Sequence, residues 1–142
     1  MEAIDCARRC ADIMLENDAS SRALGIEIDI PDAGTAIASM TVRADMLNGF
    51  DVCHGGLLFT LADTAFAFAC NAYNRETLSV HAEINWRNTA HLDDRLVATA
   101  REDKQDGRHG YFSVVVRNQH DVVVAEFRGH SIARERPLFA PA

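Results

Sequence analysis

The longest apolar run of the chain holds one charge, and two glycines stand at its start. From Val52 to Asn74 the only charged residue is Asp63, set among Leu57, Leu58, Phe59, Leu61, Ala62, Ala65 and Phe66. A carboxylate in such company must be hydrogen-bonded, paired or protonated, because water no longer solvates its charge. Two uses fit it: a structural acid satisfied by Thr60, Thr64 or a loop amide, or a nucleophile or general base. The run is preceded by Asn48-Gly49-Phe50-Asp51-Val52-Cys53-His54-Gly55-Gly56. Glycines at a helix start allow close approach to the backbone, and the first helical amides lack internal acceptors and lie at the positive end of the dipole. Such a terminus can bind an oxyanion. The plainer alternative is a loop in which Gly-Gly only turns the chain.

Other chemistries fit less well. Cys53 and His54 are adjacent, so their side chains point apart and make a poor nucleophile-base pair. His54, His81, His91, His109, His120 and His130 are dispersed without ligand spacing, and no HEXXH, GxGxxG, phosphate-binding loop or GxSxG occurs. Cys6 and Cys10, one helical turn apart with no second pair at ligand spacing, read as buried structural thiols.

The elements that position these groups follow from hydrophobic period. Ile4 to Asn17 carries apolar residues at helical spacing, and the run from Gly55 to Cys70 is apolar on all sides, the pattern of a buried helix. Leu24, Ile26, Ile28 and Ile30 alternate with polar residues, and Pro31-Asp32-Ala33-Gly34 then turns into a second strand over 35–43. Leu78, Val80, Ala82, Ile84 and Trp86 share one parity, opposite Ser79, His81, Glu83, Asn85 and Arg87, which predicts a strand with one buried and one polar face. Further strands are expected near 95–102, 111–118 and 122–132, with turns at 104–107 and 118–121. Strand runs interrupted by one long helix predict an α+β fold with the helix packed on an antiparallel sheet.

The chain has 142 residues, 14 Lys plus Arg against 21 Asp plus Glu, and a formal charge of −7. That balance speaks against nucleic acid or anionic lipid as partners, since both demand a basic stripe. Forty-eight per cent hydrophobic and 25% charged residues at this length predict one globular domain over 1–142. Within it, 1–20 is expected as an N-terminal helix region and 134–142 as a loose tail. Gly55–Cys70 is shorter than the roughly 20 residues a membrane helix needs. Four cysteines without a secretory leader pattern suggest reduced thiols and a cytoplasmic protein.

Asn48-Gly49 through Cys53-His54-Gly55-Gly56, followed by Leu61-Ala62-Asp63-Thr64-Ala65-Phe66-Ala67, resembles the hotdog-fold acyl-CoA thioesterases, most closely their phenylacetate-degradation (PaaI-type) branch. Glu16-Asn17-Asp18-Ala19, Ala23-Leu24-Gly25-Ile26 and Met40-Thr41-Val42 are similar to that branch too, so the likeness spans about residues 10 to 133. It implies a long helix wrapped by a curved antiparallel sheet, with subunits pairing through the strand after the helix. It also implies hydrolysis of phenylacetyl-CoA or a ring-hydroxylated relative. The Gly55 amide would polarise the thioester carbonyl and Asp63 would act as nucleophile or general base. Asn48 and His54 would position the thioester or attacking water, and Ser79 would help hold that water. CoA enters as part of the substrate, and neither cofactor nor metal is expected.

For the CoA phosphates the candidates are Arg87, Arg108 and Arg128, near strand ends or turns. Phe50, Phe59 and Phe66 are candidates for an aromatic acyl pocket, although core packing would use the same residues. Gly55 and Asp63 stand eight residues apart, about 12 Å along one helix, too far to serve one carbonyl carbon. A homodimer is therefore the expected minimum active unit, and a homotetramer the expected assembly. Two other classes share the residues: a hotdog enoyl-CoA hydratase or dehydratase, disfavoured by the absence of Asp-x-x-Pro-x-His, and a non-catalytic acyl-CoA-binding module.

Overall fold

The computed structural model describes residues 1–140. Its centre is a six-stranded, wholly antiparallel sheet built from β1 (Glu27–Asp32), β2 (Thr35–Thr41), β3 (Thr77–Trp86), β4 (Arg95–Asp106), β5 (His109–Arg117) and β6 (Val123–Ala133). The strand order is β1-β2-β4-β5-β6-β3, so β1 and β3 form the edges. Across one face lies the long helix α3 (Gly55–Cys70), the arrangement expected for a hotdog fold.

Small residues seat the helix on one half of the sheet. Ala36 opposes Ala100 and Ala38 opposes Ala98, all four fully buried, and Ala62, Ala65 and Ala69 of α3 are buried as well. Aromatic rings fill the other half. Phe66 packs at 5.5 Å from Phe112 and 5.8 Å from Phe127, centroid to centroid. A glycine at 129 makes this possible, because a Cβ there would lie 2.7 Å from the Phe66 ring.

The expectation of a helix apolar on all sides needs correction. Its buried residues are Leu58, Leu61, Ala62, Ala65, Phe66, Phe68, Ala69 and Cys70. Gly56, Thr60, Asp63, Thr64 and Ala67 form an uncovered or half-covered stripe at helical spacing. The N-terminal region is likewise two helices rather than one: α1 (Ala3–Glu16) and α2 (Ala19–Leu24), the latter capped by the Asp18 side chain, which accepts from Ser21 N–H at 3.0 Å. Leu24 thus ends a helix instead of opening the first strand. Residues 134–139, expected to be loose, are held down. Arg134 N–H donates to Glu76 O at 2.7 Å, Leu138 and Phe139 N–H donate to Asn74 Oδ1, and the Arg9 guanidinium stacks 4.1 Å from the Phe139 ring centre. Pro141 and Ala142 of that segment lie outside the described residues.

Strand β3 departs most informatively from its hydropathy pattern. Ser79 pairs with Ser131 but His81 pairs with His130, so Val80 is an inserted, unpaired residue. Such a bulge flips the facing of everything beyond it. Ala82, Ile84 and Trp86 oppose Gly129, Phe127 and Ala125 on the helix side, while Leu78 opposes Ile132 on the outer side. Ser79, expected on the polar outer parity, shares the helix side with buried Ser131. The apolar face predicted as buried is only partly so, since Leu78, Val80 and Trp86 are 43%, 52% and 54% exposed. The two edges differ in kind. Edge β1 carries Pro31 and acidic Glu27, Asp29 and Asp32, features that discourage strand addition, whereas β3 has no proline and exposes apolar side chains. Among the described residues no helix is long and apolar enough to cross a membrane.

Candidate active site

Helix α3 begins at Gly55, where His54 serves as N-cap. The His54 ring accepts the Gly56 N–H on Nδ1 at 2.9 Å, and the His54 backbone N–H donates to Met46 O at 2.8 Å. Leu57 and Leu58 N–H both reach His54 O. That leaves the Gly55 N–H, which has no acceptor among the described residues. It is a half-exposed donor at the positive end of a 16-residue helix, the form an oxyanion site takes. Because Nδ1 accepts, a neutral His54 carries its proton on Nε2, and the residue is exposed.

Asp63 lies two helical turns further, on the half-covered stripe. The structural alternative in which threonines satisfy it does not hold. Thr60 Oγ1 donates to Gly56 O and Thr64 Oγ1 to Thr60 O, both inside the helix. Among the described residues Asp63 has neither hydrogen-bond nor ion-pair partner, and burial pushes its carboxyl above the ordinary 3.8. A half-buried acid without a structural partner is a candidate for chemistry. The thiols are not, since burial drives Cys10 and Cys53 up to about 11 and Cys70 up to about 12, leaving negligible thiolate at neutral pH.

Asn48 organises the loop that leads into the helix. Its Oδ1 accepts from Phe50 N–H at 2.8 Å and Val52 N–H at 3.4 Å, and its own N–H donates to Val52 O, which leaves Nδ2 unengaged. Asp51, with φ at 58°, supplies the left-handed step that closes this loop. The helix runs alongside β3 in the opposite sense: Gly55 meets Trp86, Phe59 packs on Phe127 beside Ile84, and Phe66 packs on Gly129 beside Ala82. Ser79, three positions beyond Ala82, is therefore at the far end of β3 from Gly55 within one chain. Eight residues of continuous helix put Gly55 and Asp63 about 12 Å apart. Within a chain they cannot serve the same carbonyl carbon.

The expected acyl-pocket phenylalanines separate. Phe66 is 1% exposed and locked in the core, so it lines no substrate site. Phe59 packs edge-on against Phe127 at 5.4 Å, a core contact for a half-buried ring. Phe50 is 87% exposed on the loop and touches no core element. Among the arginines, Arg87 is paired with Glu126 at 3.3 Å, and Arg87 and Arg128 line one outer-face cleft of about 330 Å³ that also contains Glu83 and Glu126. Arg108 occupies the β4–β5 turn; neither it nor Arg128 has an ion-pair partner among the described residues.

Two features escaped the sequence reading. A groove of about 390 Å³ lined by Asp45, Met46, Leu47, His54, Gly56 and Leu57 opens beside the helix start, with Leu47 and Leu57 giving it an apolar wall. Trp86 reaches the same place from β3, donating its indole N–H to Gly55 O at 3.1 Å. Strand alternation placed Trp86 on the helix side but carried no signal for this bond.

Comparison with known proteins gives the family. Residues 50–125 match the family model of the thioesterase superfamily. Over 121 residues the chain is 45% identical to the acyl-coenzyme A thioesterase PaaI of Escherichia coli K12, covering 85% of this chain and 86% of that one. The structure of the PaaI protein from the phenylacetic acid degradation operon of E. coli superposes with a TM-score of 0.93 at 40% identity, covering 96% of this chain and 99% of that one. A mutant of the phenylacetic acid degradation protein PaaI from Thermus thermophilus gives 0.77 at 30% identity, with 81% and 98% covered. The chain therefore belongs to the thioesterase superfamily, as a hotdog-fold enzyme of thioester hydrolysis.

Proposed function

We propose that the protein hydrolyses aromatic acyl-CoA thioesters, phenylacetyl-CoA or a ring-hydroxylated relative, to free acid and CoA, in a site shared by two subunits. The carrying observation is the separation on α3 of an unengaged Gly55 N–H from an unpartnered Asp63 carboxylate. Each is half of an acyl-transfer site. Association through β3, the edge that exposes Leu78, Val80 and Trp86, would extend the sheet and turn the stripe bearing Asp63 toward a second copy. A two-fold axis reverses strand direction, so the partner's Asp63 and Ser79 move toward this chain's Gly55. The dimers then pair into a homotetramer, and the four free thiols suit a reducing cytoplasm.

In this reading the thioester carbonyl oxygen sits on the Gly55 N–H, with the Nε2–H of His54 and the free Nδ2 of Asn48 beside it. Attack at the carbonyl carbon moves charge onto that oxygen, and one preorganised amide stabilises it by about 3 kcal/mol. Asp63 either adds directly, the tetrahedral adduct expelling CoA thiolate to leave a mixed anhydride that water then opens, or removes a proton from a water held by Ser79, which attacks the carbonyl carbon and displaces CoA thiolate. The phenylacetyl group is inferred from the relatives, and the groove beside Leu47 and Leu57 offers it an apolar wall. Arg108 and Arg128 are free to meet CoA phosphates.

Thiol release from an acyl-CoA panel tests the reading. Free CoA from phenylacetyl-CoA, lost in Asp63→Asn, is expected. Altered acyl unsaturation with CoA retained would indicate a hydratase, and binding without turnover would indicate a carrier module; either result overturns the proposal.

A further inference from the structure

Trp86 is the only tryptophan of the chain, and it lies against the two glycines that open α3. Its indole N–H donates to Gly55 O at 3.1 Å. That carbonyl belongs to the same peptide unit as the Gly56 N–H, which donates to His54 Nδ1 at 2.9 Å. The three groups form a chain in one direction: indole N–H to carbonyl, through the peptide, to amide N–H, to imidazole. A bond accepted at a peptide oxygen polarises the N–H of that peptide and strengthens the bond it donates. The ring also closes the space beside the Gly55 Cα, since a Cβ there would lie 3.1 Å from Nε1 and 3.3 Å from Cε2. A Cβ on Gly56 would lie 3.1 Å from His54 Nδ1. Both glycines are thus places where a ring rests directly on the backbone.

Resting on the thioesterase reading above, we propose that Trp86 is a positioning residue of the active site: it clamps the Gly55–Gly56 peptide and thereby fixes the aim of the Gly55 N–H and the ring of His54. Its bond and its packing both act on the dipeptide that bears the oxyanion donor, so the strand β3 sets the geometry of the helix end. Two functions then share one residue position, because β3 is also the exposed edge. An edge strand displaced by a fraction of an ångström would move the donor with it.

The variant Trp86→Phe keeps a flat ring and removes only the N–H. It should lower kcat about 3–10-fold with KM for phenylacetyl-CoA unchanged, the size of one net hydrogen bond expressed in the transition state. The Gly56 amide proton resonance should move upfield as its bond to His54 weakens, with the circular-dichroism spectrum and melting temperature close to wild type. Trp86→Leu, lacking both ring and donor, should lose more. In the wild type the single indole N–H resonance should show slowed hydrogen exchange and should shift when a non-hydrolysable acyl-CoA thioether binds. Should Trp86→Phe fail to fold, these two wild-type signals decide the matter. An unchanged kcat and an unmoved Gly56 amide in the folded Phe variant, or a freely exchanging indole that ignores the thioether, overturns the role of Trp86. Failure of the thioesterase reading would look different: wild type itself would release no CoA from any acyl-CoA.

Discussion

Replacing Gly55 by proline deletes one atom of the proposed chemistry, the amide hydrogen, at a place where the backbone accepts proline. Gly55 is the first residue of α3, the position at which proline's fixed φ suits a helix and its missing N–H breaks no helical bond. His54 before it has φ −58° and ψ 130°, the extended geometry that a residue preceding proline prefers. The added Cβ meets the Trp86 indole at 3.1 Å, so the ring must give by a few tenths of an ångström. Gly55→Ala introduces the same Cβ while keeping the N–H, and is the steric control. Loss of a single preorganised donor costs about 2.7–4 kcal/mol in the transition state, or roughly 100–1000-fold in kcat. Steady-state CoA release from phenylacetyl-CoA should therefore fall that far from the alanine to the proline variant, with melting temperatures within a few degrees of each other. Equal kcat values in two folded variants would refute the assignment of Gly55 N–H as the oxyanion donor.

Asp63→Asn should lower kcat at least about 100-fold, since the amide can neither attack nor take a proton. In the wild type the acid limb of the kcat profile should have its midpoint above the ordinary 3.8, because burial raises the carboxyl. The same shift fixes a stability sign: a raised folded value means the charged form destabilises the fold at neutral pH, and the penalty is relieved as pH falls through that value. Asp63→Asn should consequently melt higher than wild type at pH 7, with the difference closing below pH 3.8; a lower melting temperature at pH 7 would show an unseen partner for the carboxylate. Val80→Lys places a charge on the β3 bulge and should break the proposed β3 interface, lowering the sedimenting mass from that of wild type, with activity lost in parallel. An unaltered assembly would place the interface elsewhere.

The helix was legible from the length of its uncharged run and the Gly-Gly at its start, whereas its one acid read equally as a structural carboxylate or a catalytic one. The hotdog likeness was legible from the residues around His54-Gly55-Gly56 and Asp63 together. What the pattern concealed has identifiable causes. The bulge at Val80 leaves apolar alternation intact while reversing the facing of the strand, so Ser79 appeared to point outward when its pairing with Ser131 turns it inward. Phe66 read as core more readily than as pocket, and Gly129 opposite it shows that the ring fills a space made for it. The break between α1 and α2 hinges on the Asp18 cap, whose signal was submerged in a segment of otherwise helical spacing. Association faces are hardest to see, because an exposed Leu78 or Val80 and a buried one give the same hydropathy.

Subunit complementation tests the shared site most directly. Gly55→Pro chains and Asp63→Asn chains, each inactive alone, are mixed in equal amounts and exchanged, with heterodimer formation verified by native mass spectrometry. If the amide of one subunit works with the carboxylate of the other, each heterodimer has one intact site. Half of the dimers are then heterodimers, and about a quarter of wild-type activity should return. No recovery in a sample with verified exchange would contradict the account, because it would place both groups in the service of one carbonyl within a single chain.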